Sequence, residues 1–126
     1  GTLHCSAMHG PSGTVLATDA PLDNQGKGES FSPTDLVATA LGTCIATTMA
    51  IVAERDQVEL KGLTVGVTKE MASERPRIAR LTAEVRIPLP ADHPQRELLE
   101  KTALGCPVHR SLSADMSRPT KFFWEG

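Results

Sequence analysis

Tyrosine is absent from the 126 residues, and the aromatic side chains are Phe31, Phe122, Phe123 and Trp124 alone. A core must therefore be assembled from Val, Leu, Ile, Ala and Met. A basic surplus is also missing: 13 Lys and Arg stand against 15 Asp and Glu, a net charge of −2, so nothing in the charge balance points to a nucleic-acid partner. The cysteines, Cys5, Cys44 and Cys106, are odd in number and contain no C-x-x-C pair. That argues against a secreted disulfide scaffold and for a cytoplasmic protein whose thiols are reactive or simply buried. No repeat, low-complexity segment or signal-peptide pattern occurs. The chain opens on the strand-like Gly1-Thr2-Leu3-His4, and the missing Met suggests a trimmed or partly observed N-terminus. The length is that of a single domain, 1–126.

Charge is missing altogether between Leu36 and Ala53. Just before this run, Ser32 is a good N-cap, Pro33 suits the first helical position, and Asp35 completes a capping-box spacing while placing negative charge at the positive helix end. Phe31 is positioned to staple onto Leu36 or Val37. The run predicts a helix from Pro33 to about Arg55, with Val37, Ala40, Leu41, Cys44, Thr48 and Ile51 on one face. A helix neutral all round is a buried helix. As a membrane span it reads as too weakly apolar, with four Thr and one Gly, and short of the roughly 20 residues a span needs. So small a chain has limited means to cover such a helix alone, which favours a homodimer.

Elsewhere the pattern is β-rich. Leu3 to His9 and Thr14 to Thr18 flank a Gly/Pro turn and read as a hairpin. Gly26-Lys27-Gly28 lacks the context of a phosphate loop. Alternation of Leu63, Val65 and Val67, then of Leu81, Ala83, Val85, Ile87 and Leu89, predicts an antiparallel pair around a turn at Pro76. Asp92 is placed to cap a second helix with Leu98, Leu99, Thr102 and Ala103 inward and Gly105 as its C-terminal stop. A short helix begins at Pro107, and Pro119 to Trp124 closes the chain as a strand. The fold class is α+β.

The residues that carry chemistry are few. Cys106 precedes a Pro-started helix, where unpaired N–H groups favour a thiolate, although such a cysteine is often incidental. Cys44 is equally readable as a small apolar core residue. His109, three residues after Cys106, either tunes that thiol or faces solvent. His4, Cys5 and His9 do not suggest a metal site, because His4 and Cys5 point to opposite sides of a strand, and Cys5 reads as buried. No H-E-x-x-H pattern supports a metal-dependent hydrolase.

Ser-Pro-Thr-Asp-Leu-Val-Ala-Thr-Ala-Leu-Gly-Thr-Cys at 32–44, followed downstream by Cys-Pro-Val-His-Arg-Ser-Leu at 106–112, resembles the OsmC/Ohr family of osmotically inducible and organic-hydroperoxide-resistance proteins. The resemblance spans most of the chain and is most similar to the OsmC-like branch. It implies an intertwined homodimer of central long helices covered by antiparallel sheets. The implied activity is a two-cysteine peroxidase without cofactor, in which Cys44 attacks a hydroperoxide and becomes a sulfenic acid. Cys106 then resolves that acid as a disulfide, and a cellular dithiol reduces the disulfide. The apolar residues Val37, Leu41 and Ile51 would suit organic hydroperoxides. The chain departs from better-studied members, which use an N-terminal arginine paired with a glutamate: no Arg precedes Arg55, and Lys27 is the only upstream base besides histidines. Thr34 occupies the glutamate position ten before Cys44, and Asp35 is the nearby acid. Asp35, Thr34, Lys27 and His109 are accordingly the supporting candidates. The alternative function is a non-catalytic module of the same fold that binds a small apolar ligand and merely buries its cysteines.

Overall fold

The computed structural model describes residues 2–74 and 76–126, in two compact units divided after Val37. The strand-like reading of Gly1 and the Arg75 part of the expected turn lie outside the described residues.

In the first unit, β1 (His4–Met8) pairs antiparallel with β2 (Val15–Asp19), from His4 opposite Asp19 to Met8 opposite Val15. Gly13 takes a left-handed φ of 73° in the connecting turn, a conformation glycine adopts without steric cost, and His9 N–H donates to the Thr14 carbonyl at 2.8 Å. β1 is exposed along its whole length, so Cys5 is a surface thiol and not the buried residue its strand position suggested. Only Thr18 and Asp19 of β2 are buried. The following loop returns to the hairpin through a bridge between Phe31 and Thr18. The Phe31 side chain is exposed, so the expected staple does not cover it.

The first long helix, α1 (Pro33–Arg55), begins as its sequence requires. Asp35 N–H donates to Ser32 Oγ at 3.1 Å, and Ser32 N–H donates back to Asp35 Oδ2 at 3.0 Å, which closes the capping box.

The second unit contains the rest of α1 and a three-stranded sheet in the order β3-β4-β5. β3 (Thr64–Met71) and β4 (Ile78–Ile87) are antiparallel. β5 (Thr120–Trp124) runs parallel to β4, so the sheet is mixed and not purely antiparallel. A parallel neighbour needs a crossover connection. Here α2 (Arg96–Leu104) and α3 (Pro107–Ser111) lie along that connection. Along β4, Leu81, Ala83, Val85 and Ile87 are buried at alternate positions, as a strand with one face on a core requires.

The buried stripe of α1 is Ala38, Leu41, Gly42, Ile45, Met49 and Ala53. It is turned away from the expected face: Ile51 is half exposed, and Cys44 lies at the edge. Apolarity is spread almost evenly around this helix, so period alone cannot choose the inner side. Packing chooses it. A Cβ on Gly42 would lie only 3.1 Å from Val67 Cγ2, so glycine allows the helix to approach β3 closely. By length and composition α1 could also cross a membrane, contrary to the weakly apolar reading; the core helix of a soluble protein meets the same criterion.

α2 starts at Arg96, four residues after the expected cap at Asp92, because Pro90 to His93 first closes a turn through His93 N–H to the Pro90 carbonyl. Leu99 and Ala103 are its buried residues, whereas Leu98 is exposed. Gly105 ends the helix at φ −105°, with its N–H on the Thr102 carbonyl, so the left-handed stop is not used.

Candidate active site around two thiols

Cys44 and Cys106 meet within the second unit although 62 residues separate them in sequence (106 − 44). α1 carries Cys44 at the margin of its buried stripe, where the side chain remains partly open. Cys106 is the N-cap of α3 and is closed off, with 1% of its surface accessible. Extended backbone at Cys106 and Pro107 in the first helical turn let Cys106 Sγ accept the His109 N–H at 3.4 Å.

Burial pushes the Cys106 thiol up, outweighing the His109 N–H bond that stabilises its thiolate. The side-chain hydrogen bond with Cys44 and the charge of Cys44 push in the same direction. The expectation that a helix start would make Cys106 acidic is therefore corrected: desolvation wins over one backbone donor. Both cysteines are free thiols in this structure.

His109 is half-buried and not solvent-facing. Desolvation, and then the charge of Arg118, hold its imidazole below the usual histidine range. Arg118 Nη1 donates to the His109 carbonyl, which fixes this cation beside the short helix. At neutral pH His109 thus acts on Cys106 through its backbone N–H, with its ring uncharged.

Asp35, Thr34 and Lys27 belong to the first unit. Asp35 is engaged in the capping box, Thr34 Oγ1 lies 3.2 Å from Ser32 Oγ, and Lys27 is exposed in the loop before α1. Of the apolar residues expected around the thiol, Val37 is half-buried in the first unit, and Leu41 is closed, with 1% of its surface accessible. Ile51 lines an open groove of about 510 Å³ with Thr48, Val52 and Leu98. Two of its other lining residues neighbour the thiols along the chain: Thr48 is one helical turn after Cys44, and Gly105 directly precedes Cys106.

Arg55, Lys101 and Arg110 also line this groove, and among the described residues no carboxylate does. These cations were not singled out by the sequence reading. Arg110 stands inside the second motif and Arg55 closes α1, but their convergence depends on how α2 lies beside α1.

The α+β scaffold thus joins a partly open thiol on a long helix to a closed thiol at a short-helix cap. The sequence profile of the OsmC-like protein family matches residues 26–117, and the chain belongs to that family. Among solved structures, it is similar to a candidate osmotic stress induced and detoxification response protein from Psychrobacter arcticus 273-4. That match has 38% identity over 97% of this chain and 89% of the other, with a TM-score of 0.91. The fold is shared with a candidate organic hydroperoxide resistance protein from Vibrio cholerae that has captopril bound in one of its active sites (18% identity, 93% and 82% covered, TM-score 0.76). It is shared too with an organic hydroperoxide resistance protein OsmC from Legionella pneumophila (17% identity, 98% and 96% covered, TM-score 0.65). No curated protein matches the sequence significantly.

Proposed function

We propose that this protein is a thiol-dependent peroxidase for organic hydroperoxides, with Cys44 as the attacking residue and Cys106 as the resolving one. The observation that carries the reading is the pairing of a partly open thiol with a buried one across the fold. The names of the V. cholerae and L. pneumophila structures agree with that substrate class.

The reaction balances as follows. Cys44 thiolate attacks the distal oxygen of ROOH, the O–O bond breaks, and the alkoxide takes a proton to leave as ROH. The resulting Cys44 sulfenic acid is attacked by the Cys106 sulfur, which gives up its proton, and water departs as the disulfide forms. A dithiol then reduces the disulfide by thiol exchange. Placing the second thiol against the first favours disulfide formation over further oxidation to the sulfinic acid. The groove containing Ile51, Val52 and Leu98 is proposed to hold the organic part of the substrate.

The working form is proposed to be a cytoplasmic homodimer. Half-exposed Ile51 on a helix with no charge from Leu36 to Ala53 supports a covering second copy. The decisive experiment follows consumption of cumene or tert-butyl hydroperoxide with a dithiol donor. Cys44→Ser is expected to lower turnover by at least about 10³-fold, as removal of a nucleophile does. Unchanged consumption by that variant would refute the assignment.

A further inference from the structure

The first unit contains a polar cluster that the thiol reading does not use. His4 at the start of β1 faces Asp19 at the end of β2, its register partner, and Glu29 comes from the loop before α1. One ligand-type atom from each of the three residues lies within 4.8 Å of the others.

His4 Nε2 is 3.4 Å from Asp19 Oδ2 and 3.5 Å from Glu29 Oε1. These separations are long for charge-assisted hydrogen bonds, which run at about 2.7–2.9 Å. They match the edges of a coordination tetrahedron: ligands about 2.0–2.2 Å from a zinc ion stand about 3.3–3.6 Å from each other.

The imidazole is oriented from behind, since His4 Nδ1 is 2.9 Å from Thr2 Oγ1. With Nδ1–H donating to that hydroxyl, Nε2 presents its lone pair to two carboxylate oxygens. Such an outer hydrogen bond commonly fixes the tautomer of a metal-bound histidine.

A second observation points independently to a cation. The Asp19 side chain is fully buried, its Oδ2 accepts the Glu29 N–H at 3.0 Å, and its Oδ1 has no hydrogen-bond partner among the described residues. A buried carboxylate with an unpaired oxygen is costly unless positive charge compensates it. His4 and Glu29 remain partly open at 38% and 58% side-chain exposure, which leaves a route for an ion from solvent.

We infer that His4, Asp19 and Glu29 form a binding site for a divalent transition-metal ion, Zn²⁺ foremost, with solvent completing its coordination. One imidazole and two carboxylates suit zinc, and no thiolate takes part. Bound there, the ion ties both ends of the hairpin to the loop entering α1. The inference does not rest on the peroxidase reading.

The test is a Co²⁺ titration of the metal-free, reduced full chain, followed by visible absorption, with Zn²⁺ displacement measured by calorimetry. One equivalent should bind with the visible bands of tetrahedral cobalt and without a near-ultraviolet thiolate-to-metal band. His4→Ala and Glu29→Gln, both at accessible positions, should each weaken binding by at least about tenfold. Cys5→Ser should leave binding unchanged, and saturating Zn²⁺ should raise the melting temperature of the parent but not of His4→Ala. Absence of binding at millimolar metal, a thiolate band, or binding indifferent to both ligand substitutions would overturn the site.

Discussion

Cys44 lies against Cys106, so that the partly open thiol adds to the burial that holds the proton on the closed one. Burial keeps the Cys106 proton in place at neutral pH. The asymmetry supports the proposed division of labour, because the attacking sulfur must meet a solute and the resolving sulfur needs only to meet its neighbour.

Cys106→Ser therefore separates the two proposed half-reactions. The variant should consume about one equivalent of hydroperoxide per chain as Cys44 becomes a sulfenic acid, a slower second equivalent under excess peroxide as that acid becomes a sulfinic acid, and then stop. Mass spectrometry after dimedone trapping reads both products. Continued multiple turnover would remove Cys106 from the cycle.

Stability should depend on the same thiol at alkaline pH. Its pKa is raised on folding, so between the unfolded value of about 8.5 and the higher folded value the native state holds a proton that the unfolded chain has released. Stability therefore falls as pH rises through that window. Cys106→Ala should flatten the fall in melting temperature between pH 8 and pH 10. His109 works in the opposite direction: its lowered pKa means the unfolded chain takes up a proton first, so stability falls as pH drops below about 6.5. His109→Gln should flatten that acid limb.

The capping box offers a test confined to the start of α1. Ser32→Ala removes the acceptor of the Asp35 N–H and should cost about 1 kcal/mol in urea unfolding. Asp35→Ala removes the reciprocal bond to Ser32 N–H and should destabilise in the same direction.

These residues also show how far the sequence could be read. Ser32, Pro33 and Asp35 set the start of α1 through local hydrogen bonding, so a local pattern was enough to place the helix. Alternation made the inner face of β4 equally plain. The orientation of α1 was not legible, because its apolar residues encircle it and the inner side is chosen by packing, as in the close approach of Gly42 to Val67. The direction of β5 depended on the crossover through α2 and α3. Cys44 and Cys106 could be paired by motif resemblance, but the burial that opposes Cys106 ionisation arises from the assembled core. The His4–Asp19–Glu29 cluster was missed because adjacency along β1 was weighed, whereas strand register and loop return bring these groups together.

The orientation of α1 yields the final prediction, from two isoleucines six positions apart. Ile45 is fully buried and Ile51 is 50% exposed. Ile45→Val should cost about 0.5–1.5 kcal/mol at any protein concentration, because it opens space in a packed core. Ile51→Glu should have little effect within a lone chain, where the new carboxylate can remain in water. If a second copy covers this face, as the proposed homodimer requires, that carboxylate would be desolvated at a cost that Arg55, Lys101 and Arg110 in the same groove offset only in part, and association should weaken by at least about tenfold. Sedimentation velocity at micromolar concentration should then show a dimeric parent and a monomeric Ile51→Glu variant with an unchanged far-ultraviolet spectrum. A parent that remains monomeric under these conditions would leave α1 half-open as its working state and rule out the homodimer.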